Sequence, residues 1–471
     1  MTKENHGCRA NASQERGGLA IKTSQTSSLT IYRLGLCILL FVLLGSLPAA
    51  LSKVAEEKLD QTDNLLAISD LVDCLVREKF VFKSLIEERW LPFTKTMKLE
   101  AQSAYGMRDL SKIINHSLER LKTSHCRFLT EDDEAFYFLR SLFQLVDKDS
   151  QTYFCGFATG GYGRPDGTVR YVLNGGPAER AGLSTGDQIL SVDGQTSWTY
   201  KNLVNRTGHA ILVRIKRNSL EKTLSILPLK TDLYELYLQA LENSFRIHER
   251  LAGGRIVKIG YVHIFAGGSA SKERLEDLLM NTELDALVLD LRQGYGGANT
   301  TDLDCVFRSK EYHPDLEYRG RDGQAKKRSF CFNKPIVTLI DSETTSGKEL
   351  LAHVLKNSKR SFLVGEQTAG AAVAGRLFDS ANLKAIGSEE DISSELRAIL
   401  LKTENHYATR RKLEPFALYL AVSTCLIGGV SLEGEGVKPD LEIRNPMKSN
   451  EVYQRQLDSA LEQAAKAVIT N

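Results

Sequence analysis

No C-x-x-C pair occurs among the eight cysteines of this chain, and no internal repeat or low-complexity tract follows residue 30. The missing pair excludes the usual zinc-site spacing, and six cysteines after Ser52 are too few for a dense disulfide scaffold. One or two bridges remain compatible with export. A surplus of one charge sign is also missing: 61 Lys and Arg face 59 Asp and Glu, a formal net charge of +2. So small an imbalance argues against a nucleic-acid or membrane-surface role. Long apolar runs are absent but for one. Residues 34–52 carry no charge over 19 positions, around an apolar heart at 36–44. The 33 residues before it hold five Lys or Arg against two Glu. Such a segment is either a long-fronted secretory signal or a single anchor helix with its N-terminus in the cytoplasm. Small residues at Ala50-Leu51-Ser52 suit a signal peptidase, while 19 residues can just span a bilayer. Export to a periplasmic or extracellular space is expected, with the segment removed or kept as an anchor. Residues 1–30, rich in Ser and Thr, read as disordered.

The remaining composition, 42% hydrophobic and 25% charged over 471 residues, leaves room for two to four domains with ample core. After the leader (1–52), residues 53–150 read as a helical domain. Leu110, Ile113, Ile114, Leu118 and Leu121 share one helix face, and Thr130 before Glu-Asp-Asp-Glu opens another helix with Phe136, Leu139 and Phe143 inward. From 151 to 232 the texture changes to short strands. Val169–Leu173 leads to Asn174-Gly-Gly-Pro-Ala-Glu-Arg-Ala-Gly-Leu, a short helix entered at Pro177. Gly186-Asp-Gln-Ile-Leu-Ser-Val-Asp-Gly then reads as another strand, closing in an Asp193-Gly194 hairpin turn. The string G-P-A-x-x-A-G-L…G-D-x-I-L-x-V-D-G resembles a PDZ domain. That resemblance implies peptide capture by strand addition, with a carboxylate-holding loop at Cys155-Gly156-Phe157-Ala158. Residues 233–445 alternate strand and helix, implying an α/β core with mixed sheets. Within it, 380–415 reads as a surface insertion with an amphipathic helix, inert or a lid. Residues 446–471 close the chain as a C-terminal helix.

Chemistry concentrates at Ser346. The buried strand Pro335–Ile340 hands over there to a helix expected at Glu349–Lys359, so the hydroxyl stands at a positive helix end beyond a strand's carboxyl end. Ser346-x-x-Glu349 is equally a capping box that needs no chemistry. A serine nucleophile requires a base, for which imidazole is suited, and two N–H groups for the oxyanion. Among the histidines, His125 follows a helix, His353 lies two turns beyond Ser346, His406 sits in the charged insertion, and His263 alternates along a strand and is expected to be packed.

Five motifs occur in a recognisable order: Ile259-Gly-Tyr-Val-His-Ile, Asp290-Leu-Arg-x-x-x-Gly-Gly, Ser346-x-x-Glu-Leu-Leu-Ala, Val364-Gly-Glu-x-Thr and Glu433-Gly-x-Gly-Val-x-Pro-Asp. Together with the PDZ-like module they resemble the carboxy-terminal processing (tail-specific) serine proteases over roughly residues 105–445. The resemblance implies a multi-domain α/β protein: a helical N-terminal region, a PDZ-like β-rich domain and a crotonase-like α/β protease core. The better-known branch uses a Ser–Lys dyad, but its lysine position is Ala371 here. Lys348 is no evident substitute, since two residues along a helix start it points away. The tricorn-core-like branch uses histidine and glutamate instead, and Ser124-His125 and Glu433 fill those positions. The expectation is then a serine endopeptidase acting on polypeptides near their C-termini. Ser346 would be the nucleophile, His125 the base, and Glu433 the carboxylate at its other nitrogen, with Glu435 a neighbouring decoy. Oxyanion donors are expected from Gly347 and from Gly296 or Gly297. Neither metal nor organic cofactor is implied. Two rivals are a catalytically silent peptide- or apolar-ligand-binding member of the fold, and a peptidase that uses Lys348.

Overall fold

Two strands, Ala286–Asp290 and Ile336–Ile340, are buried at every position, as parallel strands covered on both faces must be. They form the centre of a six-stranded sheet whose order is Leu441–Glu442, Ser361–Gly365, Ile336–Ile340, Ala286–Asp290, Arg255–His263 and Arg246–Ala252. All neighbours run parallel except the last pair. Alternate side chains leave opposite faces. Leu287, Leu289 and Leu363 pack with Leu275 and Leu279 of the helix Ser269–Met280 and with Leu351 and Leu355 of the helix Gly347–Asn357. Val257, Ile259, Val288 and Val337 pack under Ala460, Leu461 and Ala464 of the helix Asn450–Thr470.

The computed structural model describes residues 63–145, 152–160, 167–204, 208–297, 306, 316–319, 325–328, 331–409 and 414–470. The expected leader and the 34–52 segment lie outside them. No helix among the described residues is long and apolar enough to cross a membrane. Among the described cysteines, Cys74, Cys126 and Cys425 are free thiols.

A second, antiparallel sheet sets Phe416–Ser423 between Arg127–Thr130 and Ala374–Asp379. This corrects the wholly helical reading of 53–150. Local pattern shows only a link between helices at 127–130, but Phe128 stacks on Phe416 with ring centroids 5.3 Å apart, a partner almost 290 residues away in sequence. The next helix is Glu134–Leu142, and its start is also shifted. Asp133, not Thr130, occupies the position before it, and its carboxylate accepts the Thr130 N–H at 3.0 Å.

Within the described part of the 380–415 stretch, the helical segment is packed into the body of the molecule. Its helix Ser394–Thr409 buries Leu396 and Leu400 in one core with Leu71 and Leu75 of the helix at 63–79 and with Phe80 just after it. Arg77–Glu395 at 2.7 Å and Lys79–Asp391 at 2.8 Å tie its edge to the same layer. In the β-rich module, Ile211–Arg217 alternates buried and exposed residues and pairs with both Gln188–Val192 and Leu220–Ile226. The hairpin turn is Asn218-Ser219, with φ of 47° and 68°. Asp193-Gly194 also turns with positive φ, but it bridges only Val192 and Gln195.

Candidate active site

The two sheets meet at Ser346. This residue follows the strand Ile336–Ile340 and precedes the helix Gly347–Asn357, with φ 56° and ψ −132°. For a residue with a Cβ that conformation costs about 1–3 kcal/mol and persists only where neighbours over-determine it. The neighbours are specific. The Ser346 N–H donates to the Ala371 carbonyl at 2.8 Å and to a Glu349 carboxylate oxygen at 3.1 Å. Glu349 is fully buried and accepts further bonds from Thr368 Oγ1 at 2.6 Å and from the N–H groups of Gly370 and Ala371, each at 2.7 Å. Burial pushes its pKa up and the hydrogen bonds oppose that. The Ser346–Glu349 spacing thus serves to brace the turn whatever the hydroxyl does.

His125 arrives from the other sheet. It lies two residues before Arg127, which pairs with Tyr419, and it takes φ 57°. Its Nε2 is 3.1 Å from Ser346 Oγ, and its Nδ1 is 2.8 Å from Ser124 Oγ. Ser124 Oγ lies 2.9 Å from one Glu433 oxygen, and the Ser124 N–H donates to the other at 2.8 Å. Glu433 also accepts the Ala372 N–H at 2.8 Å. The expected direct His125–Glu433 contact is therefore replaced by a chain: a serine hydroxyl stands between the ring and the carboxylate. Proton bookkeeping along it is consistent. An ionised carboxylate only accepts, so Ser124 donates to it and accepts from Nδ1–H, leaving Nε2 to accept from Ser346. Burial pushes His125 down to about 4, partly opposed by Glu433, which keeps the ring neutral. The Tyr419 ring flanks it with centroids 5.1 Å apart.

Lys348 is fully buried, and burial pushes it down to about 7, against Asp341 and Asp290. Its ammonium reaches the carbonyls of Ile264 at 3.4 Å, Phe265 at 3.5 Å and Gln293, not Ser346. His263 is buried and stacked on Phe265 at 3.6 Å. His353 faces Asn357 at 2.7 Å, and the side chain of His406 lies outside the described residues. Glu435 is exposed.

Gly296 and Gly297 lie beside the serine. A Cβ on Gly296 would fall 2.4 Å from Ser346 Cβ, so only glycine permits this approach, and Gly297 takes φ 81°. Gly347 is the first residue of its helix, where N–H groups lack helical partners. A cleft of about 850 Å³ opens over Ser346, His125, Gly296 and Gly297, walled by Leu139, Leu142, Phe143, Tyr295 and Tyr419. The loop Cys155–Ala158 is not part of its lining. Phe157 is 2% exposed, and Gly156 sits against Pro177 and Leu236. Among the described residues no cluster of His, Cys, Asp and Glu could hold a metal ion.

Residues 258–395 match the family model described as Peptidase family S41, and 168–217 match that of the PDZ domain. The former includes Ser346 but neither His125 nor Glu433. The carboxyl-terminal-processing protease of Synechocystis sp. is 29% identical over 220 residues, 44% of this chain and 50% of that protein. The chloroplastic carboxyl-terminal-processing peptidase 2 of Arabidopsis thaliana is 27% identical over 251 residues, 48% and 45% respectively. The matches thus span about half the length of these relatives. The solved photosystem II D1 C-terminal processing protease is 20% identical with a TM-score of 0.46, covering 82% of this chain and 93% of that one.

Proposed function

We propose that this chain, in which residues 258–395 match peptidase family S41 and 168–217 match the PDZ domain, is a serine endopeptidase that cleaves polypeptides near their C-termini through an acyl-enzyme on Ser346. The observation that carries this reading is the 3.1 Å approach of His125 Nε2 to Ser346 Oγ. His125 takes the hydroxyl proton as Oγ attacks the scissile carbonyl, then returns it to the leaving amine. Ser124 and Glu433 hold the ring with Nε2 turned to the nucleophile and steady the imidazolium that forms. Backbone N–H groups of Gly347 and of Gly296 or Gly297 receive the oxyanion. Water then attacks the ester by the same route in reverse. The apolar walls of the cleft favour uncharged side chains next to the cut bond. Tail capture would fall to the loop at Gly156–Phe157 of the PDZ-like module. Export rests on the charge-free run at 34–52.

A fluorophosphonate probe tests the nucleophile. Labelling and peptide hydrolysis are expected in the wild type, with both reduced at least about 10⁴-fold in Ser346→Ala. A wild type that binds tail peptides but takes no label and cuts nothing would instead fit the silent, peptide-holding alternative.

A further inference from the structure

Glu134 has no part in the chemistry above, yet its carboxylate lies where four parts of the chain converge. One oxygen accepts the Tyr237 hydroxyl, from the helix Leu233–Ser244, at 2.5 Å. That hydroxyl is in turn 2.6 Å from the Tyr171 hydroxyl on the strand Val169–Val172. The other oxygen accepts the Tyr295 hydroxyl. Tyr295 immediately precedes Gly296. Its N–H donates to the Phe265 carbonyl at 2.7 Å, its ring stacks on Phe138 at 4.0 Å and 11°, and the Gly296 carbonyl accepts the Gly267 N–H at 2.7 Å. The turn therefore hangs from both ends of one tyrosine. Because Gly296 and Ser346 are already in contact, any tilt of that tyrosine moves the turn's N–H groups relative to the nucleophile.

We propose that Glu134 is a positioning residue: through the Tyr295 hydroxyl it fixes the Gly294–Gly297 turn against Ser346 and so sets where its N–H groups meet the developing oxyanion. A carboxylate suits this task because it accepts from two phenols at once and offers no competing donor. Charge-assisted bonds of this kind are shorter and stiffer than neutral ones. The phenol bonds also favour the ionised form, against the upward push of burial on its pKa. The effect belongs to the transition state, since the ground-state carbonyl carries little charge for the turn to stabilise.

This inference rests on the Ser346 reading, and the experiment separates the two. Kinetics on a soluble peptide are measured for the full chain and for Tyr295→Phe, Glu134→Gln, Glu134→Ala, Tyr237→Phe and Ser346→Ala. Tyr295→Phe keeps the stack on Phe138 and removes only the tie to Glu134. Its kcat is expected to fall about 10- to 100-fold with KM within twofold, as a displaced donor predicts. Glu134→Gln, which retains an acceptor, should lose less than Glu134→Ala. Tyr237→Phe removes a bond to the same carboxylate without touching the turn and should keep kcat within about threefold. An unchanged kcat in Tyr295→Phe overturns the proposal, as does an equal loss in Tyr237→Phe, which would make the cluster a stability element only. If Glu134→Ala does not fold, Tyr295→Phe still decides. Persistent hydrolysis in Ser346→Ala would instead overturn the underlying reading.

Discussion

At the scale of single residues, a serine hydroxyl gives up its proton only to a neighbour that is unprotonated at the working pH. Two candidates exist, and their pKa shifts alone do not choose between them: burial pushes His125 to about 4 and Lys348 to about 7. Geometry chooses, because His125 is in reach of Ser346 while Lys348 is spent on three backbone carbonyls. It follows that kcat/KM should stay flat as pH falls from 7 to about 5, with an acid limb near 4. A limb near 6.5, read from initial rates, would contradict the buried, neutral ring. Stability shifts in the same direction. The folded ring binds its proton less readily than the unfolded one, whose pKa is near ~6.5. Its contribution is complete above that value and is lost as pH falls toward 4. The wild type should therefore lose stability relative to His125→Gln as pH falls from 6.5 to about 4, with the difference between their melting curves constant above and below that window. Ser124 offers a sharper probe. Ser124→Ala should cut kcat about 10²- to 10⁴-fold, as loss of an imidazole-orienting group does. A loss under threefold would reduce Ser124 to a bystander between ring and carboxylate.

Among the elements, the helix Ser394–Thr409 is a structural part of the N-terminal layer. Leu396→Ala should cost about 2–5 kcal/mol of stability, measured by denaturant melts, with kcat and KM on a short peptide held within twofold. A shift in KM without a loss of stability would restore a gating role. The strand–turn–helix around Ser346 was legible from sequence because hydrophobic burial, the turn and the Glu349 brace all lie within some fifteen residues. The PDZ-like string was legible for the same reason. The strand Arg127–Thr130 was not. Its pairing partner is Phe416–Ser423, and four residues between two helices carry no periodicity that reveals it. The left-handed backbone at His125 and Ser346 was likewise hidden, because neither residue type announces it. Ser124 stood in view beside His125, but its place between ring and Glu433 depends on how a turn 309 residues away folds back. Glu134 carried no local signal at all.

For the molecule as a whole, the site exists only because distant segments close on one another. The C-terminal helix Asn450–Thr470 covers one face of the six-stranded sheet, and Arg292, paired with Asp290 at 2.5 Å, also holds Gln456 at 2.8 Å and the Tyr453 carbonyl at 3.0 Å. Cutting the chain before Asn450 would expose Val257, Ile259 and Val288 together. Such a product should lack a cooperative thermal transition, and a retained sharp melt would show that the sheet does not need this cover. The closure that matters most joins the sheet bearing His125 to the helix start bearing Ser346. The direct test is the second-order rate of fluorophosphonate labelling at Ser346 in the wild type, His125→Ala and Lys348→Ala, each first shown to be folded. Labelling should fall at least about 10³-fold in His125→Ala and stay within tenfold of the wild type in Lys348→Ala. The reverse pattern, with labelling lost only when the lysine is gone, would contradict the account.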